Sequence, residues 1–177
     1  MSDRTAAPPT LGFLTVQQEH AGWAGYYLVT NAWGRPLEFR MSSAVQPNRV
    51  QTALYGPTLL DYLHADVIGK ALVDKTALKP DLIVADTPAA LALRGRVDVP
   101  VVALRPDAAV LPADTRALTH PRSSLALLLP VAFGNDEAAV VARLDAVDSA
   151  VDLVEPFARI REAVAEARKL GVSGRVA

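Results

Sequence analysis

Apolar and polar residues alternate most cleanly over residues 37–43, where Leu37, Phe39 and Met41 interleave with Glu38, Arg40 and Ser42. A period of two is the mark of a strand, and one polar face predicts a sheet covered on one side there. Upstream, Leu11–Glu19 reads as a first strand through Phe13, Leu14 and Val16, and residues 26–31 as a second. The glycines of His20-Ala21-Gly22-Trp23-Ala24-Gly25 mark a turn between them, and Trp33-Gly34-Arg35-Pro36 a tight reversal. The chain therefore opens on a three-stranded antiparallel meander.

Pro47 starts a helical region, because a missing N–H is harmless in a first turn. Gly56-Pro57 interrupts it, Thr58 and Asp61 have the spacing of a capping box, and Leu59, Leu60, Leu63, Val67, Ile68 and Leu72 carry helical spacing to about residue 76. Two short, continuously apolar strands follow, Leu82-Ile83-Val84-Ala85 and Val101-Val102-Ala103-Leu104. The brief helix between them predicts a parallel crossover. Residues 106–121 read as loop and 124–133 as core. Asn135-Asp136 opens a helix with Val140, Val141, Leu144 and Val147, and a last helix over residues 155–170 ends at Gly171. The expected fold class is α/β: a mixed sheet made of the meander followed by helix-strand-helix-strand, with C-terminal helices. Residues 1–10 read as a flexible leader, 11–171 as one domain and 172–177 as a tail.

This order over roughly residues 11–104, with Gly25-Tyr26-Tyr27-Leu28-Val29, then Gly34-Arg35, then Asn48-Arg49 entering the helix, resembles the ribonuclease-H-like superfamily. Active members of that superfamily place acidic residues on the first strand, on the first helix and at the end of the fourth strand. Two divalent cations held close together need several carboxylates to offset their charge. The corresponding positions here are Thr15 to Gln17, Gln51 and Asp86, and only Asp86 is acidic. The resemblance thus implies a catalytically degenerate copy, in which Asp61 and Asp136 are the candidate replacement ligands around Asp86. Glu38 falls on the polar, solvated face of the third strand.

Composition narrows the classes. Hydrophobic residues make up 51% and charged residues 21%, which excludes a disordered chain. Cysteine is absent, so disulfides, thiolate metal sites and a cysteine nucleophile are excluded. The net charge is −1, without the basic excess of a protein that grips phosphates over a broad surface. The run over 124–133 is half the roughly twenty residues a membrane span needs, and the polar start is unlike a signal peptide. The expected location is cytoplasmic, with no membrane contact.

Asp86-Thr87-Pro88 ends a buried strand, where open α/β sheets place ligands. It is read either as a metal or phosphate contact or, more simply, as the cap and first turn of the next helix. His20, His64 and His120 lack metal spacing, and His64 beside Asp61 fits an ordinary helix surface. No P-loop, dinucleotide fingerprint or serine elbow is present. Trp23, Trp33, Arg35 and Arg40 cluster around the first two turns as a candidate interaction surface. The leading expectation is a non-enzymatic, cofactor-free domain acting through protein contacts, as a subunit of a larger assembly or a homo-oligomer. The alternatives are a nuclease or phosphotransferase using Mg2+ or Mn2+ at Asp86, and a nucleic-acid-binding module without catalysis.

Overall fold

The computed structural model describes residues 7–106 and 110–171. The expected tail over 172–177 and most of the expected leader lie outside the described residues. A single seven-stranded mixed sheet organises the molecule in the order β3-β2-β1-β4-β5-β7-β6. The strands are β1 (Leu11–Glu19), β2 (Gly22–Thr30), β3 (Pro36–Met41), β4 (Leu82–Ala85), β5 (Val101–Leu104), β6 (Thr115–Leu118) and β7 (Leu127–Pro130).

The meander is present, with β1 antiparallel to β2 and β2 to β3. β4 lies parallel to β1 with Leu14 opposite Ala85, and β5 parallel to β4, as the crossover requires. β2 starts at Gly22, four residues earlier than the glycines suggest, because Trp23 pairs with Gln18 and forms a bridge to Val45. β6 occupies part of the segment read as loop. It is a short edge strand beside β7, which runs antiparallel to β5.

Both faces of the sheet are covered, which is why β4 and β5 are apolar throughout. On one face Leu11, Phe13, Tyr26, Leu28, Val84 and Val102 pack under α4 (Asp136–Asp145) and α5 (Glu155–Lys169), the latter through Phe157, Ile160 and Val164. Phe13 and Phe157 meet edge to face at 5.7 Å. On the other face Leu14, Val16, Tyr27, Val29 and Ile83 pack under the long helical segment through Ala65, Ile68 and Leu72.

That segment is not one regular helix. It runs through α1 (Arg49–Tyr55), a 3-10 turn (Gly56–Thr58), α2 (Leu59–Asp61), a π-helix (Tyr62–Gly69) and α3 (Lys70–Lys75). Two glycines let the π-helix sit so close to the sheet: a Cβ at Gly25 would lie 2.1 Å from Ile68 Cγ2, and one at Gly69 3.2 Å from Leu14 Cδ2 on β1. The expected Thr58 cap is absent, since its hydroxyl donates to the Tyr55 carbonyl. Gln51 instead completes a capping box with Asn48 at the start of α1. Between β4 and β5 the chain forms a 3-10 helix (Pro88–Arg96) that continues through Gly95.

The solvated face expected for Glu38 is also corrected. It points under the helical layer, where its carboxylate accepts the backbone N–H groups of Ala77 and Leu78 and the Arg40 Nε–H. Burial pushes the Glu38 carboxyl up, but Arg40 and the two backbone donors together hold it below its usual range. Among the described residues no helix is long and apolar enough to cross a membrane.

Candidate functional site

The parallel pairing of β1 and β4 ends at Leu14 and Ala85. The next residue on each strand, Thr15 and Asp86, therefore lies side by side at the carboxyl end of the sheet. The alternation of strand side chains aims both toward α5, beyond Phe13 and Val84. Thr15 Oγ1 donates to Asp86 Oδ2 at 2.6 Å, and Thr15 is buried. Burial pushes the Asp86 carboxyl above its usual range, and the Thr15 hydroxyl, its own backbone N–H and the positive charge of Arg161 on α5 offset this only in part. Tyr26, opposite Thr15 on β2, joins Glu19 and Arg168 in a cluster that ties the end of α5 to the meander. Burial, with the adjacent Glu19, pushes the Tyr26 phenol up to about 12.

The sign of the Asp86 shift makes a prediction. A carboxyl raised in the folded state binds more protons there than in the unfolded chain, so its ionisation subtracts stability as pH rises. Asp86→Asn keeps an oxygen that accepts from Thr15 and removes the buried charge. Its thermal midpoint should exceed that of the natural protein at pH 7 and converge with it below the ordinary aspartate range. A lower midpoint for the variant at both pH values would contradict this.

On the other side of the strand ends, Thr87 Oγ1 lies 3.2 Å from His64 Nδ1. Contrary to the surface placement expected for it, His64 is only 3% exposed, and its Nε2 has no hydrogen-bond partner. Trp23 packs on it edge to face at 5.7 Å. Burial lowers the His64 imidazole to about 4, so it is neutral at pH 7. The simple capping role for Asp86 and Thr87 is also corrected: neither side chain caps the 3-10 helix, because each is engaged elsewhere.

Just past Pro88 a groove of about 470 Å3 opens. It is lined by Pro57, Leu60 and Asp61, by Pro88, Leu91 and Ala92 of the 3-10 helix, by Asp114 and Thr115, and by Pro130 and Phe133. Partial burial pushes the Asp61 carboxyl up. The Arg94 guanidinium lies 4.5 Å over the Phe133 ring while its Nε donates to Asp136 Oδ2 at 2.6 Å. A larger depression of about 670 Å3, along Glu137, Val141 and Asp145 of α4, gathers none of these groups.

The three carboxylates expected to share a metal do not come together. Asp136 is held by Arg94, Asp61 stands at the groove, and Asp86 has the Thr15 hydroxyl on one oxygen. Among the described residues no three of His, Asp and Glu form a group able to hold a metal ion. The residues present therefore do not form the carboxylate set on which active members of the ribonuclease-H-like superfamily would hold two divalent cations. The expected interaction surface is likewise divided. Trp33 and Arg35 are exposed, whereas Trp23 packs on His64 and Arg40 pairs with Glu38 at 2.7 Å. His120 anchors its loop through Asp145 at 3.1 Å.

Mixed strand order and helices on both faces define an α/β fold, and solved structures share it. Endonuclease V from Streptomyces avermitilis superposes with a TM-score of 0.54 at 16% identity, covering 95% of this chain and 88% of its own. Endonuclease V from Bacillus subtilis gives 0.54 at 11% identity, covering 94% and 86%. At these identities the likeness is one of fold. No family model matches the sequence, and no curated protein does.

Proposed function

We propose that this chain is a nucleic-acid-binding domain on a nuclease-like fold from which two-metal hydrolysis has been lost. The observation that carries the reading is the Thr15–Asp86 hydrogen bond, which puts a hydroxyl where a second carboxylate would be needed to hold paired cations. The groove beyond Pro88 supports a nucleic-acid ligand. Its volume lies within the range of small-molecule sites, and its lining is mostly apolar, with Asp61, Asp114 and Thr115 among it, which suits the face and edge of a base and repels phosphate. With a net charge of −1, phosphate neutralisation cannot carry affinity alone, which favours single strands whose bases can reach the groove. The fold likeness to two endonucleases favours nucleic acid over a general protein contact.

A second reading is a metal-dependent nuclease centred on Asp86. It is favoured by the names of both fold neighbours and by the place of Asp86 at the carboxyl end of a buried strand. One experiment separates the two. A fluorescently labelled single-stranded oligonucleotide is titrated at rising salt and then incubated with Mg2+ or Mn2+. Binding that weakens with salt, without cleavage, is expected. Cleavage abolished by Asp86→Asn would replace the first reading with the second. No binding even at about 50 mM salt would overturn the first reading.

A further inference from the structure

α1 is a well-formed helix that buries nothing in its own chain. Its seven residues start from a complete capping box, yet none of them is buried, nor is any residue of the 3-10 turn and α2 that follow. Val50, Ala53 and Leu54 recur at three- and four-residue spacing, which lines them along one side of the helix. Val50 is 65% and Leu54 80% exposed. An isolated helix shorter than about 12 residues is marginal in water, and helices in proteins are held mainly by packing an apolar face. α1 has the face without the packing, and exposed apolar surface of this kind marks protein contacts.

The charges around α1 select what covers it. Arg49, at the start of the helix, is its only charged residue. The other end has no basic residue in its last turn. There Tyr55 stacks on Tyr62 with ring centroids 4.0 Å apart, and α2 packs on α1, which keeps Asp61 close to that end. Among the described residues, neither the Arg49 guanidinium nor the Asp61 carboxylate has a hydrogen-bond or ion-pair partner. One surface thus carries an apolar stripe, a free cation at one end and a free carboxylate at the other. Such a surface is complementary to itself when reversed.

We propose that α1 is a dimerisation element whose partner is a second copy of this chain. The two α1 helices lie antiparallel about a two-fold axis, Val50 and Leu54 of each against those of the other. The same patch serves both copies, so the assembly closes at two. Arg49 of each copy then meets Asp61 and the uncapped negative end of α1 in the other, two identical charge contacts per dimer. A seven-residue helix is about 10 Å long, so the contact is at the small end of specific interfaces and the dimer depends on concentration. The inference stands without the nucleic-acid reading. Because Leu60 and Asp61 also line the groove, the groove of each copy borders the interface.

Sedimentation equilibrium of the full chain, without nucleic acid, from micromolar to near-millimolar concentration tests the proposal. The natural protein should pass reversibly from monomer to dimer and no further. Leu54→Asp should stay monomeric throughout with native far-ultraviolet dichroism, since the side chain is exposed in the single chain. Arg49→Glu and Asp61→Arg each set like charges against each other twice, and each alone should raise the dissociation constant at least about tenfold. Mixed in equal amounts, these two variants should dimerise again, because each then meets the opposite charge in the other. A change confined to one chain's own fold cannot be repaired by mixing. A natural protein that remains monomeric, or that grows beyond a dimer, would overturn the proposal. So would a Leu54→Asp variant that dimerises as the natural protein does, or a mixture no tighter than its parts.

Discussion

Phe157→Ala is expected to lower folding stability by about 3–5 kcal/mol, the range for removing a large buried aromatic ring. Phe157 is 2% exposed, and its ring meets Phe13 on β1 edge to face. The loss combines the transfer term, the cavity left under α5 and the aromatic contact. For a domain of this size that is a large part of the total. The functional consequence follows from what α5 carries. Arg161 on that helix acts electrostatically on Asp86, and Arg168 closes the cluster with Glu19 and Tyr26. Denaturant unfolding monitored by dichroism measures the effect. A loss below about 1 kcal/mol, the scale of a routine surface change, would show that α5 is not seated on β1 as described.

Thr15→Asp is the second large effect, and it bears on the lost metal chemistry. The substitution places a second carboxylate beside Asp86 at a buried position. Two such groups cannot both ionise without a counter-charge. At pH 7 and without divalent metal, the variant should lose about 3 kcal/mol or more, the cost of an uncompensated buried charge. Adding Mn2+ should recover part of that loss, because a ligand that binds only the folded state stabilises it by mass action. Acidifying the solution should also recover part of it, by letting the pair share a proton. The natural protein should show no recovery with Mn2+, and on acidification only the smaller one that Asp86 alone provides. A variant whose thermal midpoint is the same with and without Mn2+ would show that position 15 does not face Asp86.

How much of this was legible in the sequence depended on whether a feature was local. The meander was legible because period-two alternation and turn glycines are local signals. Its exact hairpin was not: Gly22 to Gly25 have turn composition, yet Trp23 is drawn into β2 by Gln18 and Val45. β6 was hidden because an edge strand of Thr115, Arg116, Ala117 and Leu118 buries little and so carries no period. The π-helix has no local signature, and the close approach of its layer to the sheet at Gly25 and Gly69 depends on residues distant in sequence. Asp86 was legible through its position at the end of a buried strand. Its partner was visible only as a missing acid, and the hydrogen bond from Thr15 needed the strand register. His64 resembled a surface residue because burial depends on the far side of the fold, on Trp23 and Thr87. Asp136 was expected as a ligand, and nothing in its own neighbourhood announces Arg94, forty-two residues earlier.

Calorimetric titration of the natural protein with Mn2+, beside Asp86→Asn, tests most directly whether the Thr15–Asp86 pair has replaced a metal centre. The expected result is the same weak, unsaturated heat for both proteins. Saturable binding of two ions by the natural protein, abolished in Asp86→Asn, would contradict the account.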